Sequence, residues 1–133
     1  MSLNSILTFK KPMQELSIME SLLEKREMNM ENFSIYRDRM VEPGRLYMES
    51  VTEAYNDGVI SSKYKRLMAL VGALVHGCEP CMFAQADKAI EQGASVEEIL
   101  EACTVAISLG GTMAGGQTTR IVQFLREKNM IME

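Results

Sequence analysis

The sequence predicts an all-α fold, a bundle of about six helices, and three observations carry that reading. Apolar residues recur at helical spacing in one segment after another, as in Leu16, Met19 and Leu23 at i, i+3, i+7. Glycine, proline and capping residues stand between those segments where helices start and stop. No alternating apolar and polar run is long enough to read as a strand. The chain has 133 residues, which suits one domain, 1–133, with an N-terminal helical extension over 1–43 and a core over 44–128. A domain of that size buries roughly two-thirds of its unfolded surface, so it needs no disulfide staple.

Residues 1–10 show little pattern and read as a tail. From Pro12 the text turns helical, with Glu15, Glu20, Glu24, Lys25 and Glu27 around the apolar stripe, and Pro12 suits a first turn. Seven of the twelve methionines lie before position 50, and a Met-rich face is adaptable material for a core or a subunit contact. A second short helix is expected over Phe33–Met40. Pro43-Gly44 reads as a break. Leu46, Met48, Val51 and Tyr55 then follow helical spacing, and Gly58 offers a left-handed stop. Ser61 or Ser62 caps the next helix, from about Lys63 to Val75. Its second half, Leu67–Val75, is apolar on every side and so is expected to be buried all round. Another helix opens near Pro80 and ends at Gly93. Ser95-Val96-Glu97-Glu98 is a capping box. It opens a helix presenting Ile99, Cys103, Ala106 and Ile107, which stops at Gly110-Gly111. The last helix runs from about Thr112 to Lys128, beginning in small residues that suit close packing beside a site or a subunit partner.

Composition narrows the function. The net charge of −4 gives no broad basic surface for nucleic acid or an anionic membrane. The longest uncharged apolar run, Leu67–Val75, is about half of what a bilayer span needs. The N-terminus has no basic-then-apolar signal pattern, so the chain is expected to be cytoplasmic. Thiols rest reduced there, and a C-x-x-C pair is then catalytic or metal-binding rather than a structural bridge.

Such a pair is the one place where the sequence shows chemistry. His76-Gly77-Cys78-Glu79-Pro80-Cys81 holds two of the three cysteines and the only histidine. Cys81 falls in a first helical turn, where unpaired N–H groups and the positive dipole end favour a thiolate. Cys78 falls just outside, within reach of a disulfide. A low-pKa thiol beside a second thiol suits peroxide reduction and disulfide exchange, although Glu79 between them works against ionisation. The same spacing also fits two cysteines that merely pack as small hydrophobes. Histidine is the side chain whose ordinary pKa lies near neutrality, so His76 could act as the base or lower a thiol pKa, or simply cap a helix. Cys103, on an apolar face, reads as a buried structural thiol. His76, Cys78, Cys81 and Cys103 are zinc-type ligands, but a second closely spaced ligand pair is lacking. A thioredoxin-like reading fails because no βαβ pattern surrounds the pair.

The stretch from Leu67 to Leu125 resembles the core of the carboxymuconolactone decarboxylase family, whose redox members include the alkylhydroperoxidase D proteins. The matching pieces are Lys63-x-x-Arg66-Leu67-Met68-Ala69-Leu70-Val71, Gly77-Cys78-Glu79-Pro80-Cys81, Ala89-x-x-x-Gly93-Ala94-Ser95-x-Glu97-Glu98-Ile99 and Leu109-Gly110-Gly111. The resemblance implies an all-helical subunit that assembles into a homo-oligomer, a trimer or hexamer. It implies that Cys81 attacks peroxide and Cys78 resolves it. Redox members carry a glutamate at the position of Arg66 and a histidine at that of Gln85, and both belong to a proton relay. Gln85 cannot take a proton near neutral pH, and Arg66 cannot act as a base.

The expected function is therefore a thiol oxidoreductase, a peroxidase or disulfide reductase with Cys81, Cys78 and His76 at its site. It would take a small peroxide or disulfide and electrons from a dithiol donor, and it needs no cofactor and no metal ion. The alternatives are a relay-deficient oligomer that binds a ligand or acts as a scaffold, and a decarboxylase of a lactone substrate.

Overall fold

The structure, a computed structural model, describes residues 21–132. Among them it contains five helices and no strand: α1 (Leu22–Arg39), α2 (Val41–Tyr55), α3 (Ser62–His76), α4 (Glu79–Glu91) and α5 (Val96–Glu127). The all-α expectation holds. Pro12, Leu16 and Met19 lie outside the described residues.

Helix α1 does not continue a pattern begun at Pro12, because Ser21 is extended (φ −67°, ψ 127°) and caps it. The Ser21 hydroxyl accepts from the Glu24 N–H at 3.3 Å and donates to Glu127 at 3.1 Å, and the Leu23 N–H donates to the same carboxylate at 3.1 Å. A carboxylate at a helix start is doubly favoured, by the open N–H groups and by the dipole. Here it ties the start of α1 to the end of α5. The expected short helix over Phe33–Met40 is the last part of α1. The break comes at Met40–Val41 rather than at Pro43-Gly44. Pro43 is absorbed into the first turn of α2, where its missing N–H costs nothing. Gly44 is buried against α1: a Cβ there would overlap the Arg37 carbonyl and stand 2.6 Å from its Cγ.

Helix α2 ends at Tyr55 through an extended Asn56, so Gly58 is not its stop. Ser61 occupies the N-cap position of α3, but its hydroxyl makes no bond to any described residue; the Asp57 carboxylate accepts the Ser62 N–H at 2.7 Å instead. A charged acceptor outcompetes a neutral hydroxyl at a positive helix end.

Helices α3, α4 and α5 form the core. Leu70 and Leu74 of α3 meet Met82 and Phe83 of α4 and Ile99, Ile121, Phe124 and Leu125 of α5, all fully buried. Phe83 and Phe124 stack with centroids 5.1 Å apart. Each such side chain contributes roughly 1.5–3 kcal/mol by leaving water. Helix α3 is not buried all round, however. Met68 is 59% exposed and Gly72 is exposed, so one of its faces stays uncovered within the chain.

The two helices expected on either side of Gly110-Gly111 are both present, grouped here as α5 and divided where expected by a kink at Gly111 (φ 61°, ψ −144°). The bend lets α5 pass close to the end of α3: a Cβ on Gly110 would stand 3.5 Å from Val75. The capping box forms as expected, with Glu98 N–H to Ser95 Oγ at 3.1 Å and Ser95 N–H to Glu98 at 2.9 Å. Glu98 also holds Lys63 Nζ at 2.8 Å. The Lys63 ammonium, and after it the Ser95 N–H, lower the Glu98 carboxyl from its ordinary value. By length and composition alone α5 is long and apolar enough to cross a bilayer, but the kink at Gly111 divides it. Seven of its residues, from Ile99 to Leu125, are buried against this core.

The backbone angles at Gly111 belong to a region open essentially to glycine alone. Gly111→Ala should lower unfolding free energy by about 1–3 kcal/mol in a denaturant titration.

Candidate functional site

The site is built at the corner between α3 and α4. Helix α3 ends in a left-handed glycine, Gly77 (φ 74°, ψ 23°), whose N–H reaches Leu74 O at 3.3 Å while the Cys78 N–H reaches Ala73 O at 3.0 Å. This pattern satisfies the last carbonyls of α3. Cys78 is at once the N-cap of α4, and its own carbonyl accepts the Met82 N–H at 3.0 Å. The N–H of Cys78 closes one helix and its C=O opens the next. Pro80 follows within the first turn, where it is preorganised for the helix.

That corner brings the two sulfurs together. Cys78 and Cys81 form a disulfide, with Cα atoms 5.2 Å apart. Cys81 is exposed and Cys78 half-buried. Cys81 stands in the first turn of α4, as expected, where the helix end favours negative charge on sulfur.

Glu79 between them is not a bare charge. Lys25 of α1 pairs with it at 2.7 Å, and Arg120 of α5 pairs with its other oxygen. The carboxylate thus opposes thiol ionisation less than its place in the motif suggests. Sequence reasoning missed both cations, because they come from helices far away along the chain.

Arg66 and Gln85 are brought into contact with each other. Arg66 donates to Gln85 Oε1 at 3.2 Å and stacks over the Tyr55 ring at 3.6 Å. Burial lowers the Arg66 pKa from its ordinary value, but a guanidinium stays charged in proteins. Gln85 lies one turn beyond Cys81 on the same side of α4. His76 is the last residue of α3, exposed and without a hydrogen bond to any described residue. Cys103 is buried in α5 apart from the pair. Burial raises its thiol pKa, a shift partly offset by a hydrogen bond with Thr118. Among the described residues no three His, Cys, Asp or Glu side chains gather as metal ligands.

One more side chain faces this corner. Met113 Sδ lies 3.8 Å from where a Cβ of Gly77 would be, and Arg120 pairs with Glu79. Gln117 belongs to the same helical stripe of α5 by its spacing, and its amide oxygen is buried without a hydrogen-bond partner among the described residues. The small residues from Thr112 to Gly116 signalled a close approach here, but nothing in the sequence singled out Gln117.

Residues 42–123 match the model of the carboxymuconolactone decarboxylase family. No curated protein matches the chain. The fold is shared with an apo carboxymuconolactone decarboxylase family protein from Legionella pneumophila, at TM-score 0.75 and 21% identity, covering 80% of this chain and 95% of that one. A family protein from Thermotoga maritima, for which involvement in an antioxidative response has been suggested, is 29% identical with TM-score 0.67, over 83% of this chain and 91% of its own. A second structure of that protein aligns at 31% identity and TM-score 0.65, over 78% and 90%.

After reduction, Cys81 should react with iodoacetamide ahead of the half-buried Cys78, both within the native protein, while Cys103 reacts only in denaturant. Mass spectrometry would count two labels on the native protein and three on the unfolded one.

Proposed function

The chain belongs to the carboxymuconolactone decarboxylase family, and from that premise we propose that it is a thiol-dependent oxidoreductase working through Cys78 and Cys81. The observation that carries the reading is the bonded pair itself, with Cys81 exposed on a first helical turn. The antioxidative role suggested for the Thermotoga relative agrees with it.

In the reduced protein Cys81 is the attacking thiolate and Cys78 the resolving thiol. With a peroxide, a sulfur–oxygen bond forms on Cys81 and the O–O bond breaks. The alcohol leaves after taking a proton. Cys78 then displaces water from the sulfenic acid, and the disulfide forms. With a disulfide substrate, Cys81 forms a mixed disulfide and Cys78 releases the second thiol. In both branches a dithiol donor returns two electrons and two protons to the pair.

The two branches differ in their need for a proton. An alkoxide is a strong base and leaves poorly without one, whereas a thiolate is stable near neutrality. Arg66 and Gln85 are bonded to each other and neither delivers a proton. Disulfide exchange therefore fits this site better than peroxide reduction. His76, exposed two residues before Cys78, is the proton source we assign to the peroxide branch. A dithiol resting reduced fits the cytoplasm.

A second reading, a relay-deficient oligomer that binds a ligand or acts as a scaffold, is favoured by the Arg66–Gln85 contact. A lactone decarboxylase finds little acid–base equipment here beyond His76. For either reading we propose a homo-oligomer, a trimer or hexamer. Phe33, Tyr36, Leu46 and Tyr47 on α1 and α2, Met68 on α3, and Val105, Leu109 and Met113 on α5 are all exposed in the single chain. That is more apolar surface than a monomer usually shows to water.

A disulfide or hydroperoxide substrate should consume two thiols per chain, reversibly with dithiothreitol, and Cys81→Ser should abolish this. His76→Gln should slow the peroxide branch by about a hundredfold and leave disulfide exchange nearly unchanged. A redox-inert pair in the native protein would leave the ligand-binding reading. Light scattering on the eluting protein should give a multiple of the 14.9 kDa chain mass, and a single-chain mass would refute the assembly.

A further inference from the structure

We propose that the side-chain amide oxygen of Gln117 accepts a hydrogen bond from the Cys78 thiol in the reduced protein. Gln117 is then a positioning residue that biases the pair toward the dithiol. This rests on the oxidoreductase reading only in requiring that the pair be reduced and re-formed.

The placement follows from register. Residues 113, 117 and 120 lie on one stripe of α5, because i, i+4 and i+7 share a helix face. Met113 lies against Gly77 and Arg120 pairs with Glu79. The residue between Gly77 and Glu79 is Cys78, and the residue between Met113 and Arg120 on that stripe is Gln117. Its Oε1 is buried and has no hydrogen-bond partner among the described residues. Buried amide oxygens are nearly always paired, and leaving one unpaired is costly. The pair is a disulfide, and a disulfide sulfur has no hydrogen to give.

Reduction changes the inventory of donors. A dithiol donor breaks the Cys78–Cys81 bond and closes into its own disulfide. Two electrons pass to the pair, and each sulfur gains a hydrogen. The new S–H of Cys78, the half-buried partner, faces the Gln117 oxygen. The hydrogen bond exists only in the reduced state, so its free energy counts wholly toward that state. It also holds Cys78 as a thiol, because an acceptor stabilises the protonated form. Cys81, in the first turn of α4, is left as the sulfur that ionises. The division between attacking and resolving thiol then follows from the surroundings of each sulfur.

The test is a redox titration of the purified protein in graded mixtures of reduced and oxidised dithiothreitol. Disulfide formation should become about five- to tenfold more favourable in Gln117→Met, which keeps the length and removes the amide acceptor. Gln117→Leu is the second variant should the first not fold. Gln117→Glu, which restores an acceptor oxygen, should return the constant to the wild-type value or below it. In a Cys81→Ser background, Gln117→Met should lower the pH at which Cys78 becomes alkylatable. A folded Gln117→Met with an unchanged constant overturns the proposal, as does an equal shift in Gln117→Met and Gln117→Glu. A native pair that cannot be reduced in any mixture sinks the oxidoreductase reading itself, and this inference with it.

Discussion

The arrangement depends on one residue serving two helices. The N–H of Cys78 closes α3 on Ala73 and its carbonyl opens α4 on Met82. Only the left-handed Gly77 and Cys78 itself stand between the helices. No loop remains to flex, so the sulfur of Cys78 is placed by the backbone of the core itself. Cys81 is then placed by the pitch of α4. Such a joint holds the pair at bonding distance without asking the surrounding side chains to do so. The core that anchors it, Leu70 and Leu74 against Phe83 and Phe124, lies directly behind.

Charges from the other helices are fitted to this joint. Glu79 would burden the thiols if it stood alone, but α1 and α5 each bring it a cation. Those pairs are partly exposed, so their effect on overall stability is small and screened by salt. Their weight lies in the local field at the sulfurs. Arg66 and Gln85 form a different kind of contact, a fixed cation and an amide that hold each other and move no protons. The site is therefore equipped to bind and steer charge and poorly equipped to relay hydrogen ions. Both facts bear on which substrates suit it.

Much of this was legible in the sequence. The helix after Ser95, the entry at Pro80 and the first-turn position of Cys81 followed from spacing and capping chemistry, which act locally. Errors arose where tertiary context overrode a local signal. Pro43-Gly44 looked like a break, yet a first turn tolerates proline, and the glycine was needed for contact with Arg37. Gly58 looked like a stop, but α2 left through an extended Asn56. Ser61 looked like the cap, but Asp57 supplied the acceptor. Helix α3 read as wholly internal because its text is apolar all round, while the single chain covers only part of it. At the site the motif named its sulfurs, but Lys25 and Arg120 could not be named. Each meets the corner through folding and not through nearness along the chain.

The unequal exposure of the two sulfurs has a consequence for traffic. Cys81 faces outward and Cys78 is half covered. If the pair turns over as proposed, a bulky visitor would meet the same atom whether it arrived to surrender oxidising equivalents or to deliver reducing ones. Substrate and donor would then share one doorway, so each would have to depart before the other could enter. Such a cycle would alternate by simple obstruction, and a surplus of either caller would slow it.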